Sequence, residues 1–123
     1  MAEPVRIAAD RLFEGGGKPP IEGACLAVSE GRIAGICPAT DAPTPDYRFA
    51  VVAPGFVDLQ INGGGGVLFN DAPTPDTLAR MARAARQGGT AHLLPTFITG
   101  PGDAYAEALD AVAEAIAAGV PGI

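Results

Sequence analysis

The chain has 123 residues, of which 48% are hydrophobic and 18% charged, a composition typical of folded globular proteins rather than disordered ones. Its formal net charge is -6 and only 8 residues are Lys or Arg, so we expect no nucleic-acid partner. Cys25 and Cys37 fit no zinc or disulfide-rich pattern, and no apolar run approaches the roughly 18 residues of a membrane helix. We therefore expect reduced cysteines, a cytoplasmic location and no membrane partner.

The first segment, from Pro4 to about residue 36, has the pattern of β-strands. Val5 and Ile7 alternate with polar residues, and a turn rich in Gly and Pro follows over residues 15–20. The stretch ACLAVSEGRIAGI then reads as two strands joined at Glu30-Gly31. These features predict a small antiparallel unit, and the proline-rich residues 38–46 predict a loop or linker after it. We place the first domain at residues 1–48.

From residue 49 onward the pattern alternates between strands and helices. FAVVAPGFVDLQI is nearly all apolar, as a strand buried on both faces would be, and AHLLPTFIT is a second apolar strand. Between them, Thr74 and Pro75 suit the start of a helix that ends at Gly88-Gly89. Its predicted apolar stripe consists of Leu78, Met81, Ala82 and Ala85.

A second helix is predicted from about residue 103 to 118, and the final VPGI resembles the start of another strand. The predicted apolar face of this helix consists of Tyr105, Leu109, Val112 and Ile116. Alternating strands and helices indicate parallel strands joined by crossovers, in an open sheet or in a closed barrel. Two such units cannot cover both faces of their own strands, so residues 49–123 are expected to be an incomplete barrel.

The stretch Asp58 to Gly66, DLQINGGGG, is the first candidate site. Gln60 and Asn62 are two residues apart on the most apolar strand, so their amides point to one face of it. The four glycines that follow match neither the dinucleotide-binding nor the P-loop fingerprint. They could form a tight turn, a phosphate-binding loop or a loop that lets backbone approach a substrate.

The segment PGFVDLQING, residues 54–63, resembles the first-strand motif of the amidohydrolase superfamily, with Gln60 and Asn62 at the positions of its two histidines. The Q-x-N-G sequence, the glycines and Phe69-Asn70-Asp71 resemble the N-acetylglucosamine-6-phosphate deacetylase family of that superfamily. GTAHLLPTFIT, residues 89–99, is similar to the second-strand segment of the same family. The resemblance extends from the first strands to residue 123.

This resemblance implies an α/β protein: a portion of a small antiparallel β-sandwich, then the first two βα units of a TIM-like (β/α)8 barrel at residues 49–123. It implies hydrolysis of an N-acetyl group to give glucosamine 6-phosphate and acetate, as part of amino-sugar metabolism, and a homo-oligomer of two or more chains. Predicted to line the pocket are Gln60, Asn62, Gly63, Gly64, Gly65 and Gly66.

The resemblance also implies one divalent metal ion, of zinc or iron type, in the complete enzyme. Amides are much poorer ligands for such ions than imidazoles, so Gln60 and Asn62 are not expected to bind it. In the family a Glu on the third strand, two histidines and a catalytic Asp follow later, and we expect them beyond residue 123. We therefore assign no catalytic or metal-binding residue in residues 1–123 and expect this chain alone to be inactive.

Two alternatives remain open. The first is another amidohydrolase, dihydroorotase-like or deaminase-like, which the absence of a His-x-His pair disfavours. The second is a non-catalytic module that associates with itself through exposed strand edges and apolar helix faces. The single histidine, His92, is expected to be partly buried rather than a ligand, and Glu107, Asp110 and Glu114 are expected to form a solvated helix face.

Overall fold

The computed structural model describes residues 3–100 and 102–123. The chain divides into two compact units, Met1–Pro54 and Gly55–Ile123. This division lies later in the chain than the predicted one between residues 48 and 49. The reason is that residues 49–52 belong to a strand that pairs with the first strand of the chain. The apolar run FAVVAPGFVDLQI is therefore two strands, one in each unit, separated at Pro54-Gly55.

The first unit is a four-stranded sheet of β1 (Val5–Leu12), β2 (Ile21–Ser29), β3 (Arg32–Pro38) and β4 (Tyr47–Val52), in the order β3-β2-β1-β4. The predicted antiparallel pairing is confirmed for β1 with β2 and for β2 with β3, whereas β4 runs parallel to β1. Glu30 and Gly31 both have positive φ, as the two central residues of a type I′ hairpin turn require. The predicted joint between β2 and β3 is thus confirmed.

This unit has a small apolar core of its own. Ala9, Leu12 and Ala24 are buried there, and Leu26 and Val52 pack against them. Residues 3–54 contribute a single sheet, so the predicted sandwich stays a prediction.

The second unit begins with β5 (Phe56–Ile61) and the two-residue strands β6 (Gly63–Gly64) and β7 (Val67–Leu68). It continues with α1 (Pro75–Gln87), β8 (Thr90–Pro95) and α2 (Ala104–Ala117). β5 and β8 pair in parallel, which confirms the predicted strand-helix-strand crossover. After α2, the carbonyl of Gly122 accepts a hydrogen bond from the backbone N–H of Leu93 at 2.8 Å, although residues 118–123 form no assigned strand.

The sequence predicts α1 closely. The hydroxyl oxygen of Thr74 accepts a hydrogen bond from the backbone N–H of Thr77 at 3.3 Å, and Pro75 occupies the first turn. Leu78, Met81 and Ala82 are buried, as predicted, and Gly88 follows the last helical residue. Because these side chains recur every three or four residues, one face of the helix closes the core of the second unit.

α2 packs through a different face from the predicted one, and only Val112 of the predicted residues packs against the core. Its buried residues are Ala108, Ala111 and Ala115, which contact the core cluster of Phe69, Leu78 and Met81. Tyr105, Leu109 and Ile116 are exposed. Small side chains let this helix approach the core closely, and the helix therefore turns its larger apolar residues outward.

β5 is far more exposed than its composition predicts. Phe56, Val57 and Leu59 have 70%, 60% and 71% of their surface accessible to solvent, respectively. The sheet of β5 has only β8 as its second strand among the described residues. The expectation that this strand is buried on both faces is wrong for this chain.

The four glycines form a β-hairpin. Gly63 and Gly64 are β6 and pair antiparallel with Val67 and Leu68 of β7. Gly65 and Gly66 have φ of 63° and 77°, the left-handed region that both central residues of a type I′ turn occupy. A Cβ atom on Gly65 would lie 3.2 Å from the Cβ of Ala84 and 3.2 Å from the carbonyl oxygen of Arg80. The hairpin thus packs closely on α1.

Asn70, just after the hairpin, connects it to the segment that follows β8. Its side-chain Nδ2 donates to the carbonyl oxygen of Ile98 at 2.6 Å, and its Oδ1 accepts from the backbone N–H of Ile98 at 2.8 Å. The neighbouring rings of Phe69 and Phe97 meet edge to face, with centroids 6.1 Å apart. Two backbone groups and one ring pair thereby fix the position of residues 97–98.

We expect Gly63→Ala to destabilise the second unit by about 1–3 kcal/mol. A Cβ there would lie 2.6 Å from the carbonyl oxygen of Val67, and backbone atoms cannot move aside cheaply. Gly64→Ala is the matched control, because its Cβ would meet nothing closer than 3.9 Å. Urea unfolding of both variants measures the difference, and equal midpoints would contradict the clash.

We expect Asn70→Ala to lower the stability of the second unit by about 1–2 kcal/mol, because both backbone groups of Ile98 lose their partner. Hydrogen exchange at the Ile98 amide should accelerate together with this loss. The control is Asn62→Ala, since no side-chain hydrogen bond of Asn62 is present among the described residues. Unchanged exchange at Ile98 in Asn70→Ala would show that the bond does not hold this segment.

Candidate functional site

The candidate site lies where β5 and β8 end. Because the two strands are parallel, their carboxyl ends lie side by side, and the backbone N–H of Thr96 donates to the carbonyl oxygen of Ile61 at 2.8 Å. In parallel α/β folds, ligands bind at this end of the strands, where loops rather than side-chain packing form the surface. Gln60 and Asn62 are at this end.

The two amides are exposed and free to contact a ligand. Gln60 donates its backbone N–H to Oδ1 of Asp58 at 3.0 Å, and the carbonyl oxygen of Asn62 accepts from the backbone N–H of Phe69 at 2.8 Å. Both residues are therefore held through their backbones, while their side chains are solvent-accessible. Each amide carries a donor and an acceptor without charge, so the pair can orient a polar ligand but cannot neutralise one.

The predicted pocket glycines take two different positions. Gly63 and Gly64 are partly buried in β6, and Gly65 and Gly66 form the exposed turn. The turn is attached to α1, where the Nη2 of Arg80 donates to the carbonyl oxygen of Gly65 at 3.3 Å. The hairpin geometry supports the tight-turn interpretation of the glycine run, and the role of these glycines in lining a pocket stays a prediction.

A nearby cavity of about 350 Å³ lies between the segment after β8 and α2. Its lining residues include Thr96, Phe97, Thr99, Tyr105 and Leu109. None of the residues predicted to line the pocket lines this cavity. The structure thus brings Gln60, Asn62 and the glycines together as one continuous segment without enclosing them in this cavity.

The described residues do not form a metal site. Within residues 3–100 and 102–123, no group of three or more His, Cys, Asp or Glu residues is placed to hold a metal ion. His92, expected to be partly buried, is exposed in the middle of β8, opposite Val57. Gln60 and Asn62 offer only neutral amides, which are poor ligands for zinc or iron. These residues therefore do not fit the metal that the family resemblance implies.

The acidic residues of α2 behave as predicted. Glu107, Asp110 and Glu114 are all exposed. They form the solvated helix face that their spacing predicts.

Sequence reasoning missed two features of the site. The side chain of Asn70 holds the segment after β8, and Thr96 connects the ends of the two strands through its backbone. Asn following a glycine hairpin is a common turn residue, so a side-chain bond to nearby backbone could have been anticipated. Its partner, Ile98, is 28 residues away in the sequence and could not have been anticipated from the neighbouring residues.

No helix among residues 3–100 and 102–123 is both long and apolar enough to span a membrane.

No family model matches the chain. It is 45% identical over 108 residues to N-acetylgalactosamine-6-phosphate deacetylase of Shewanella sp. (strain ANA-3), a match that covers 83% of this chain and 27% of the relative. It is 44% identical over 62 residues to N-acetylglucosamine-6-phosphate deacetylase of Haemophilus influenzae, covering 50% of this chain and 16% of that protein.

The crystal structure of N-acetylglucosamine-6-phosphate deacetylase from Pasteurella multocida superposes with a TM-score of 0.74 at 28% identity, over 93% of this chain and 31% of that one. The chain thus spans between about one sixth and one third of the proteins that it matches. These two relatives and this structural neighbour are deacetylases of N-acetylhexosamine 6-phosphates, and the chain matches a partial stretch of each.

Proposed function

We propose that this chain is part of a deacetylase that hydrolyses the N-acetyl group of an N-acetylhexosamine 6-phosphate, releasing acetate and an amino-sugar phosphate. The observation that carries the proposal is the Gln60-x-Asn62-Gly segment at the carboxyl end of β5, in a chain 45% identical to such an enzyme over 108 residues. The substrate we expect first is N-acetylglucosamine 6-phosphate, as the family resemblance implies.

The fold that accompanies this function is the one expected from the sequence. Residues of the first unit would be part of a small β-sandwich, and the parallel β5 and β8 with α1 and α2 would be the first two βα units of a TIM-like barrel. The parallel pairing of β5 with β8 and the exposed apolar side chains of β5 support this arrangement. In a complete barrel, further parallel strands and helices would cover such side chains.

Gln60 and Asn62 would act by orientation. Their exposed amides can donate to and accept from a sugar hydroxyl, an acetamide or a water molecule. Because neither side chain carries a charge, the pair positions a reactant without changing its protonation. Gly63 to Gly66 would form the rim beside them, where a hairpin without side chains lets backbone approach the ligand.

The metal belongs to another part of such an enzyme. Amidohydrolases would use one divalent ion of zinc or iron type, which makes a bound water more acidic and polarises a carbonyl. The residues described in this chain do not fit that ion. The complete enzyme would be a homo-oligomer, and the free thiols of Cys25 and Cys37 suit a cytoplasmic location.

A chimera tests the proposal. The 108 matched residues would replace the corresponding stretch of the full-length Shewanella relative, and acetate release would be measured with N-acetylglucosamine 6-phosphate and N-acetylgalactosamine 6-phosphate. We expect the folded chimera to hydrolyse at least one of them, and Gln60→Ala in it to lower kcat/KM about 10-fold through loss of one ligand hydrogen bond.

Two controls accompany this experiment. Gln87→Ala removes an exposed amide from the end of α1 and should leave kcat/KM unchanged. The 123-residue chain alone, with added zinc or iron, should release no acetate, because its described residues supply no metal site. A folded chimera inactive on both substrates would overturn the proposal.

One observation favours a second role, association of the chain with itself. Phe56, Val57 and Leu59 are exposed on a strand of a two-stranded sheet. Apolar side chains beside a strand edge recruit partner chains. This role would not require any catalytic residue in the chain.

We expect the 123-residue chain to elute above its monomer mass and Leu59→Lys to shift it toward the monomer, because a charge on β5 disfavours apolar contact. Light scattering after size exclusion gives the masses. The control is Ile33→Lys in β3, where the side chain is similarly exposed, at 68% against 71% for Leu59, but lies outside the β5 cluster. A monomeric parent chain would contradict this role.

A further inference from the structure

The two cysteines are partners across two neighbouring strands. Cys25 in β2 and Cys37 in β3 are directly opposite each other in the antiparallel register. Side chains of opposite residues project from the same face of a sheet. Both cysteines accordingly line one surface depression of about 270 Å³ together with Ala27 and Gly35.

The ladder geometry places the Cα atoms of the two cysteines within the range found in disulfides. The backbone N–H of Ala39 donates to the carbonyl oxygen of Gly23 at 2.7 Å, which identifies that pair as a hydrogen-bonded one. Hydrogen-bonded and non-bonded pairs alternate along an antiparallel ladder. The next pair is Ala24 with Pro38, which has no N–H and suits the position without hydrogen bonds. The pair after it, Cys25 with Cys37, is therefore again a hydrogen-bonded pair of the ladder. The Cα atoms of such pairs are about 5.5 Å apart, within the range of about 4.4–6.8 Å found in disulfides.

The two thiols differ in accessibility. Cys25 is buried, with 2% of its surface exposed, whereas Cys37 is exposed. A small disulfide in solution can therefore reach Cys37 directly but cannot reach Cys25. Cys25 can reach only a sulfur atom that is already next to it.

We propose that Cys25 and Cys37 form a reversible disulfide in a two-step exchange with a small-molecule disulfide such as oxidised glutathione. In the first step the Cys37 thiolate attacks one glutathione sulfur, so that a mixed disulfide forms and one glutathione thiolate leaves. In the second step the Cys25 thiolate attacks the Cys37 sulfur and releases the second glutathione. The protein loses two electrons and two protons, and oxidised glutathione gains them as two reduced molecules.

The disulfide would be a labile one. Opposite residues hold their Cβ atoms about 4.5–5.5 Å apart, whereas a disulfide requires about 3.5–4.5 Å. Closing the bond must therefore draw β3 toward β2, and strained disulfides are the more easily reduced ones. Because β3 is the edge strand of its sheet, the bond would tie that edge to β2 in an oxidising environment and release it in a reducing one.

Titration of the folded chain with oxidised glutathione tests this proposal. Free thiols are counted with a thiol reagent, and the intact mass is measured without reductant. We expect both thiols to disappear from the monomer, with a mass lower by two hydrogen atoms and no retained glutathione. Dithiothreitol should restore both thiols.

Two variants separate the steps. Cys25→Ala, which keeps the buried position apolar, should stop at one glutathione on Cys37. Cys37→Ser should lose the Cys25 thiol at least about 10-fold more slowly than the wild-type chain, because the remaining thiol is buried. Circular dichroism confirms that each variant is folded before the titration.

The proposal is overturned if the wild-type chain retains glutathione on Cys37 beside a free Cys25. It is equally overturned if oxidation yields only dimers linked through Cys37. Neither result bears on the deacetylase proposal, because the chimera experiment is carried out in a reducing buffer.

Discussion

The parallel pairing of β5 with β8 is the constraint on which the candidate site depends. A crossover through α1 is needed to bring two strands side by side in the same direction, and it places both carboxyl ends at one edge. Gln60, Asn62 and the segment after β8 meet there only for this reason. The backbone hydrogen bond from Thr96 to Ile61 joins the two strand ends.

The loops at this edge are held both by polar contacts and by apolar burial. Asn70 binds both backbone groups of Ile98, Phe69 donates to Asn62, and the glycine hairpin packs on α1. Phe69 is also buried in one core cluster with Leu78 and Met81 of α1 and the alanine face of α2, and Phe97 packs against that cluster. Gln60 and Asn62 are not part of this cluster, and their exposed amides are free for a ligand.

A pair of neutral amides has a particular chemical consequence. Where two histidines would bind an ion, Gln60 and Asn62 can donate and accept hydrogen bonds but cannot supply ligands strong enough for zinc or iron. The proposed deacetylase chemistry thus divides between orientation by this segment and activation of water elsewhere. The cysteine pair lies in the other unit and depends only on the register of β2 with β3.

Much of this protein was determined by the sequence itself. Local signals carry their own physical cause: the cap at Thr74, the stop at Gly88, the turn at Glu30-Gly31 and the amides of Gln60 and Asn62 were all identified from neighbouring residues. Only the tertiary structure decided that β4 joins the first sheet, that α2 packs through alanines, that Asn70 binds Ile98 and that Cys25 lies opposite Cys37. Each of these features depends on contacts between residues that are distant in the sequence. Periodicity along the chain does not indicate which partner a strand, a helix face or a side chain will contact.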